Sequence, residues 1–422
     1  MKSKYLSVVL ALLLTGCGDK ISDNPDAVST VEQTTAAVTE QPVETTTTTT
    51  AATTTAATTK KKPKKPKIEY SYKDTLEVYQ KLTVSDWLED CTVAPDDGDA
   101  LVPTDSVGTH KLTVSFGGEE KTIKYTVADT TAPVFIYCPD VITVHTGSGF
   151  DPNINTGFGD NFDKAPAVSY EGTVDTKTPG DYDIILTLKD SSGNTTTKTA
   201  TVSVVDTLPQ GRTDIPKSDF ADFKQAYSSD TADVGIDVSY WQGDIDFKAV
   251  KNAGCSFVFV RAAHHSDNIY PDENFQKNLT GAIDAGLDTG VYFYSSCSSP
   301  EEAKEHAQWV VDKLAGRELQ LPVAFDWESF DRFQRYGMSI HDLNLCYDAF
   351  REVIEQNGYK AVLYSSKSFL ESFWEEDNSR EVWLAHYAEQ TDYEGMYTYW
   401  QQGLCNISGI SGDVDADVRY KE

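Results

Sequence analysis

Positive charge is scarce in this chain. Its 36 Lys and Arg residues face 66 Asp and Glu, leaving a formal net charge of −30. Such a surface is repelled by a phosphate backbone, which excludes nucleic acid as a partner. Long apolar runs are also lacking. The most apolar stretch, residues 5–14, is about half the roughly 20 residues that a membrane-spanning helix needs. No spanning helix is therefore expected. CxxC pairs and His-rich tracts are absent, so no zinc signature is present. The sequence calls for no metal and no cofactor. Cysteine is sparse, at 7 residues in 422.

What is present begins with an export signal. Lys2 and Lys4 precede the short apolar stretch, which ends Leu14-Thr15-Gly16-Cys17. A basic start, a short apolar core and a small residue before Cys describe a signal peptide over residues 1–17. The end of this segment resembles a bacterial lipobox, which makes Cys17 the expected lipidation site and the membrane a partner through an N-terminal lipid anchor. Six cysteines then remain: Cys91, Cys138, Cys255, Cys297, Cys346 and Cys405. An even number in an exported protein permits disulfides, but their pairing cannot be read from sequence.

Residues 18–67 are rich in Thr, Lys and Pro, with an unbroken Thr run at 45–50 and a basic end at 60–67. Nothing there can bury a core, so a disordered linker is expected. As a random coil it would reach on the order of 40 Å. Residues 68–130 and 131–207 read as two β-domains. Each carries an alternating strand, a polar hairpin turn and a second alternating strand. Each closes on Asp-Thr, at Asp129-Thr130 and Asp206-Thr207. The rhythm resembles bacterial immunoglobulin-like domains, either spacing the next domain or binding wall glycan. Residues 208–228 read as a second linker.

From residue 229 to 422 the pattern changes. Strand-like runs at 234–238, 256–261, 289–294, 321–328, 361–364, 382–387, 397–401 and near 414 are interspersed with helical stretches. The helices fall at 246–253, 273–285, 300–314, 341–356 and 368–374. Alternation predicts a parallel sheet. Eight strands within about 190 residues predict a small or irregular barrel, with its site where strands end.

The run Leu321-Pro322-Val323-Ala324-Phe325 ends in Asp326-Trp327-Glu328. On a strand, residues i and i+2 share a side, so Asp326 and Glu328 point together and Trp327 points away. Neighbouring carboxylates do not both ionise easily, and one keeps a proton. A protonated acid beside an ionised partner is what glycosidic bond cleavage uses. The same acids could instead cap the following helix. The other expected strand ends add Asp237, Arg261, Tyr292, Tyr294, Tyr364, Trp383, His386, Tyr387, Trp400, Gln401 and Asp415. Carboxylates interleaved with rings suit a cleft that binds and cuts sugars.

The motif Gly235-Ile236-Asp237-Val238-Ser239-Tyr240-Trp241-Gln242-Gly243 resembles the opening of glycoside hydrolase family 25 lysozymes. Phe325-Asp326-Trp327-Glu328 resembles that family's Asp-x-Glu motif. Trp383-Leu384-Ala385-His386-Tyr387, Trp400-Gln401 and Gly412-Asp413-Val414-Asp415-Ala416-Asp417 resemble its late strands. The resemblance implies a multidomain protein with an α/β irregular TIM-like (β/α)5(β)3 barrel at the C-terminus. Two all-β immunoglobulin-like sandwiches and the disordered Thr-rich linker precede it.

The resemblance further implies a monomeric muramidase that cleaves the β-1,4 bond between N-acetylmuramic acid and N-acetylglucosamine in peptidoglycan. Glu328 would be the general acid, and Asp326 would assist by orienting the substrate's acetamido group. Asp237 and Asp415 would be the outer acids of the catalytic set. Arg261, Tyr292, Tyr294, Tyr364, Trp383, Tyr387, Trp400 and Gln401 are the expected substrate contacts. The expected location is the outer face of the bacterial cell membrane, with the barrel reaching into the wall. One motif departs: where the family often has Lys-x-Thr-Glu-Gly, this chain has Arg261-Ala262-Ala263-His264-His265. The lost Glu keeps open a catalytically weak, wall-binding lipoprotein. A phosphate-handling barrel would need a Gly-rich loop near the last strands, which is lacking.

Overall fold

A computed structural model of the protein describes residues 67–209, 217–375 and 377–421. The export signal, Cys17 and all but the last residue of the Thr-rich linker lie outside the described residues.

The first β-domain is built on a hairpin of Gly108–Phe116 and Glu119–Ala128, joined in parallel by Thr75–Glu77. Alternation sends Val114, Phe116, Ile123, Tyr125 and Val127 into one core with Trp87 and Val102. A short ladder of Ser71–Tyr72 and Leu88–Glu89 accompanies it. The second β-domain has a longer hairpin, Gly180–Lys189 with Thr195–Val205, flanked by Ala167–Glu171 and Val141–His145. Apart from this four-stranded sheet, Val134–Tyr137 pairs with Gly157–Gly159 in a two-stranded ladder.

The C-terminal part closes into an eight-stranded barrel. Its strands are β1 (Ala232–Val238), β2 (Phe257–His265), β3 (Asp288–Ser295), β4 (Val323–Trp327), β5 (Ala361–Ser366), β6 (Val382–Ala385), β7 (Tyr399–Asn406) and β8 (Asp413–Tyr420). Strands β1 to β7 run parallel. β8 is antiparallel to both β7 and β1 and closes the ring. Helices α1 (Phe247–Asn252), α2 (Phe275–Asp284), α3 (Pro300–Leu314), α4 (Ile340–Gln356) and α5 (Lys367–Leu370) follow the first five strands. α3 shows why the boundaries were legible. Ser299 caps it by accepting the Glu302 amide, Pro300 occupies its first turn, and Ala315 ends it in the left-handed region.

Two layers of side chains fill the barrel differently. Phe257, Phe259, Trp383 and Tyr399 form a buried aromatic floor with Leu321 and Val362. Gly235 of β1 faces this floor, where a Cβ would stand 2.5 Å from the Phe257 ring. Above the floor the inward residues become acids, tyrosines and an amide. The outer faces of the strands pack on the helices in a second, larger core.

Two findings differ from the sequence reading. Within the stretch read as the 208–228 linker, Lys217–Asp219 is a strand paired in parallel with β7, and Phe220–Tyr227 is a helix. Phe220 and Phe223 are each 2% exposed in the barrel's outer core. Residues 217–227 are thus part of the barrel; their short strand and two-turn helix carry too few residues for a periodic signal. The six described cysteines are all free, and the neighbouring Cys297 together with burial pushes the Cys346 thiol up.

The β-domains are packed against the barrel next to its mouth. The ladder of Val134–Tyr137 and Gly157–Gly159 rests on a 3-10 helix, Phe330–Tyr336, which follows β4 directly. Phe330 and Phe333 of this helix are each 1% exposed and pack with Val134 and Ile136. Gln334 clamps the joint: its Nε2 donates to the carbonyls of Asn153 (2.7 Å) and Thr156 (3.2 Å). The first β-domain joins at α4, where Tyr79 stacks on His341 at 3.7 Å and Lys81 pairs with Glu375 at 3.0 Å.

Candidate active site

β4 is an apolar strand until its end, so its period-two alternation decides which side receives the acids. Ala324 lies in the inner core, whereas Val323, Phe325 and Trp327 lie in the outer one. Asp326 therefore faces inward, as the sequence reading requires. Trp327 faces outward, is fully buried and donates its indole N–H to the Cys297 carbonyl at 3.0 Å. Asp326 is 4% exposed, while Glu328, just past the strand, is half-buried at the mouth.

Register brings the other groups to the same level. Tyr294 of β3 and Tyr364 of β5 flank Asp326 on either side. Asp237 of β1 lies beside Asp415 of β8, and Gln401 of β7 beside Asp417. A hydrogen-bond chain links them. Tyr364 donates to Gln401 Oε1 (2.8 Å), and Gln401 Nε2 donates to Asp237 Oδ2 (2.9 Å). Tyr387 donates to Asp415 Oδ1 (2.7 Å), and Trp383 Nε1 donates to Asp417 Oδ1 (2.9 Å). Arg261 lies over the Tyr240 ring and donates to Asp272 Oδ2 at 2.9 Å.

Five carboxyl groups thus converge on one small, water-poor space above an aromatic floor. Burial raises every one of them, because the charged form loses its hydration. Asp326 is pushed well up by burial and then by the charge of Glu328, with which it shares a hydrogen bond. Glu328 is also raised by burial, although the bond from Asp326 holds it back. Asp237 and Asp417 rise through burial and the Asp415 charge, and Asp415 is pushed up to about 6. Both carboxyls are raised and act on each other, so a proton held by either one belongs to the pair. Glu328 lies at the mouth, where that proton can leave.

These shifts carry a stability cost with a definite sign. A carboxyl with a raised folded pKa lets the folded protein bind more protons than the unfolded chain. Stability is then lost as pH rises through the folded value, beginning near 4 and, for Asp415, complete above about 6.

The expected site residues divide into three groups. Asp326, Glu328, Asp237 and Asp415 are brought together, with Arg261, Tyr292, Tyr294 and Tyr387 partly buried around them. Tyr364, Gln401 and Trp383 lie inward but buried, and their polar atoms are held by neighbours. They support the acids from below, so Trp383 at 2% exposed is a floor residue and offers no open stacking face to substrate. Trp400 is a correction. Tyr399 and Gln401 face inward, so Trp400 between them faces out, 3% exposed in the outer core, edge-on to Tyr227. Adjacent strand residues cannot share a face.

Asp417 was missed as a site residue, although Asp415-Ala416-Asp417 repeats the i, i+2 signal of Asp326 and Glu328. The altered motif at the end of β2, which the structure keeps within the strand, divides its histidines. A bulge after Arg261 brings His264 level with Tyr294, where it stacks on Tyr270 at the rim. His265 is buried away from the acids, bonded to Ser296 Oγ at 3.0 Å. His265, Glu302 and His306 bring ligand-type atoms within 4.8 Å of one another. Both imidazole Nδ1 atoms there are already engaged by serines.

Residues 236–403 match the family described as Glycosyl hydrolases family 25, and residues 138–204 match Bacterial surface protein, Ig-like domain. Lysozyme M1 of Streptomyces globisporus is 29% identical over 206 residues, covering 44% of this chain and 68% of that protein. The autolytic lysozyme of Clostridium acetobutylicum is 27% identical over 191 residues, covering 43% of this chain and 54% of that protein. The chain thus spans about two thirds of one relative and about half of the other. The crystal structure of a bacterial lysozyme from Streptomyces coelicolor is 24% identical and covers 46% of this chain and 94% of its own, with a TM-score of 0.38. Residues 236–403 are thus similar to glycosyl hydrolase family 25 and residues 138–204 to a bacterial surface Ig-like domain, and the protein is a glycoside hydrolase.

Proposed function

We propose that this protein is a muramidase, hydrolysing the β-1,4 bond between N-acetylmuramic acid and N-acetylglucosamine in peptidoglycan. The observation that carries this reading is the neighbouring Asp326–Glu328 pair at the mouth of the barrel, raised by burial and framed by tyrosines. Glu328 gives the shared proton to the glycosidic oxygen as the bond to the anomeric carbon breaks. Asp326, left ionised, faces the positive charge that develops on the sugar and orients its acetamido group. Water then attacks and returns a proton to Glu328. Asp415, held by Tyr387, adds to the negative field, and Gln401 fixes Asp237 beside it. The partly buried tyrosines and Arg261 line the path of the glycan.

Incubation with purified peptidoglycan tests the reading. Release of soluble muropeptides supports it, whereas binding without release supports the weak wall-binding alternative. Asp326→Asn is expected to lower turnover by about 10²-fold or more and to move the alkaline limb of the pH–rate profile to lower pH. Without the neighbouring charge, Glu328 loses its proton more readily. An unchanged limb would show that the two groups do not titrate together.

The exported, lipid-anchored location is part of the same proposal and rests on the sequence at Cys17. Cys17→Ser is expected to move the protein from the membrane fraction to the soluble one with its activity on soluble glycan intact, because buried acyl CH₂ groups supply about 0.8 kcal/mol each. Continued partitioning with membranes would contradict the anchor.

A further inference from the structure

Three carboxylates outside the barrel's acid cluster meet between the two β-domains, and nothing described above uses them. Asp129 follows the last strand of the first β-domain. Asp160 follows Gly157–Gly159 of the second, and Asp190 opens the turn after Gly180–Lys189. They are 7%, 1% and 5% exposed, and their ligand-type oxygens all lie within 4.8 Å of one another.

Local bonds fix two of the three. Asp160 Oδ1 accepts the amides of Phe162 (2.9 Å) and Asp163 (2.6 Å). Asp190 Oδ1 accepts those of Gly193 (2.6 Å) and Asn194 (2.8 Å), and its Oδ2 accepts Asn194 Nδ2 (2.8 Å). What remains is unsatisfied. Asp160 Oδ2 and both carboxylate oxygens of Asp129 are buried without a hydrogen-bond partner. The Ser192 hydroxyl and the Thr131 amide lie close enough to favour the charged form of Asp129, without completing a bond.

Buried, unpaired carboxylate oxygens are costly unless a cation or a proton answers them. The charges that act most on Asp129 and Asp160 are other carboxylates, which add to the cost of burial. The donor atoms are all oxygen, with no imidazole or thiolate among them. That set suits a hard cation, and its irregular placement suits the flexible coordination of calcium better than the strict octahedron of magnesium.

We propose that Asp129, Asp160 and Asp190 form a Ca²⁺ site at the junction of the two β-domains, with water completing the shell. The ion would fasten three parts of the molecule. Asp129 belongs to the first β-domain, and Asp160 and Asp190 to the second. The Asp160 carbonyl accepts the Ile340 amide at 2.7 Å, at the start of α4 in the barrel. No local motif announces the site, because its ligands are spread over two domains.

The test is calorimetric titration of the whole chain with CaCl₂ after EGTA treatment, together with melting curves in EGTA and in Ca²⁺. One saturable equivalent is expected, with a rise in melting temperature on the order of 5 °C. Mg²⁺ should give a smaller rise. Asp129→Asn should weaken Ca²⁺ binding by at least about tenfold. In EGTA the same variant should melt at or above the wild-type temperature, because it removes one of three mutually repelling charges. Asp190→Asn serves the same purpose should Asp129→Asn misfold. No saturable binding up to about 5 mM Ca²⁺ would overturn the proposal. So would wild-type affinity in the Asn variants, which would place the ions on the acidic surface. Stabilisation by acid alone, with no response to Ca²⁺, would show that protons satisfy the cluster.

Discussion

Glu328→Gln is expected to lower turnover on peptidoglycan by about 10²- to 10⁴-fold while the protein melts at a higher temperature than wild type at pH 7. The amide keeps the shape of the side chain and its place beside Asp326. It has no proton to give to a leaving oxygen. It also relieves the repulsion that pushes Asp326 upwards. The stability gain is expected to be on the order of 1 kcal/mol and to shrink as pH falls towards 4, where the carboxyls are protonated anyway. Glycan binding should change little. Turnover above about a tenth of wild type would remove Glu328 from its role. A lower melting temperature at pH 7 would contradict the strained acid cluster.

Widening the joint between the second β-domain and the barrel is expected to slow the reaction without touching an acid. Gly157 faces the segment that follows Glu328, and a Cβ there would stand 2.6 Å from the Phe330 carbonyl oxygen. That oxygen is backbone and cannot rotate aside. The Phe330 amide in turn donates to the Glu328 carbonyl at 2.7 Å. Gly157→Val should therefore displace the 3-10 helix and, with it, the backbone that carries the acid. A displacement of about 1 Å can cost on the order of 10²-fold in rate. Turnover should fall by about ten- to a hundredfold, with KM little changed and the barrel's near-ultraviolet circular dichroism retained. Wild-type turnover in a folded Gly157→Val protein would mean that the β-domain only spaces the barrel.

The contrast between those two variants shows what the sequence could and could not disclose. Glu328 was legible because its cause is local. A strand's two-residue period places Asp326 and Glu328 on one side, and the structure has Trp327 on the other, under the 3-10 helix. The start of α3 was legible for the same reason, since Ser299 and Pro300 mark it in the sequence. Applied one residue further, the period would also have excluded Trp400, which stands between two inward residues. It would have promoted Asp417 beside Asp415.

Other features had no local signal. The strand and helix at 217–227 are too short to show periodicity, and they form because the barrel's outer core receives Phe220 and Phe223. The joint at Gly157 and Phe330 brings together residues more than 170 positions apart in sequence. The spread of Asp129, Asp160 and Asp190 is smaller, but it crosses a domain boundary. Pairings of that kind depend on how finished domains pack, which alternation and turn chemistry do not encode.

The central claim is that Glu328 and Asp326 cut a muramyl bond, and the chemical identity of the new chain ends tests it most directly. Purified peptidoglycan would be digested with the whole chain, the products reduced with borohydride, and the reduced sugar identified by mass spectrometry. The account predicts reduced N-acetylmuramic acid at every new end, and none when Glu328→Gln is used. Reduced N-acetylglucosamine at the new ends, or cleavage products without any new reducing sugar, would contradict it.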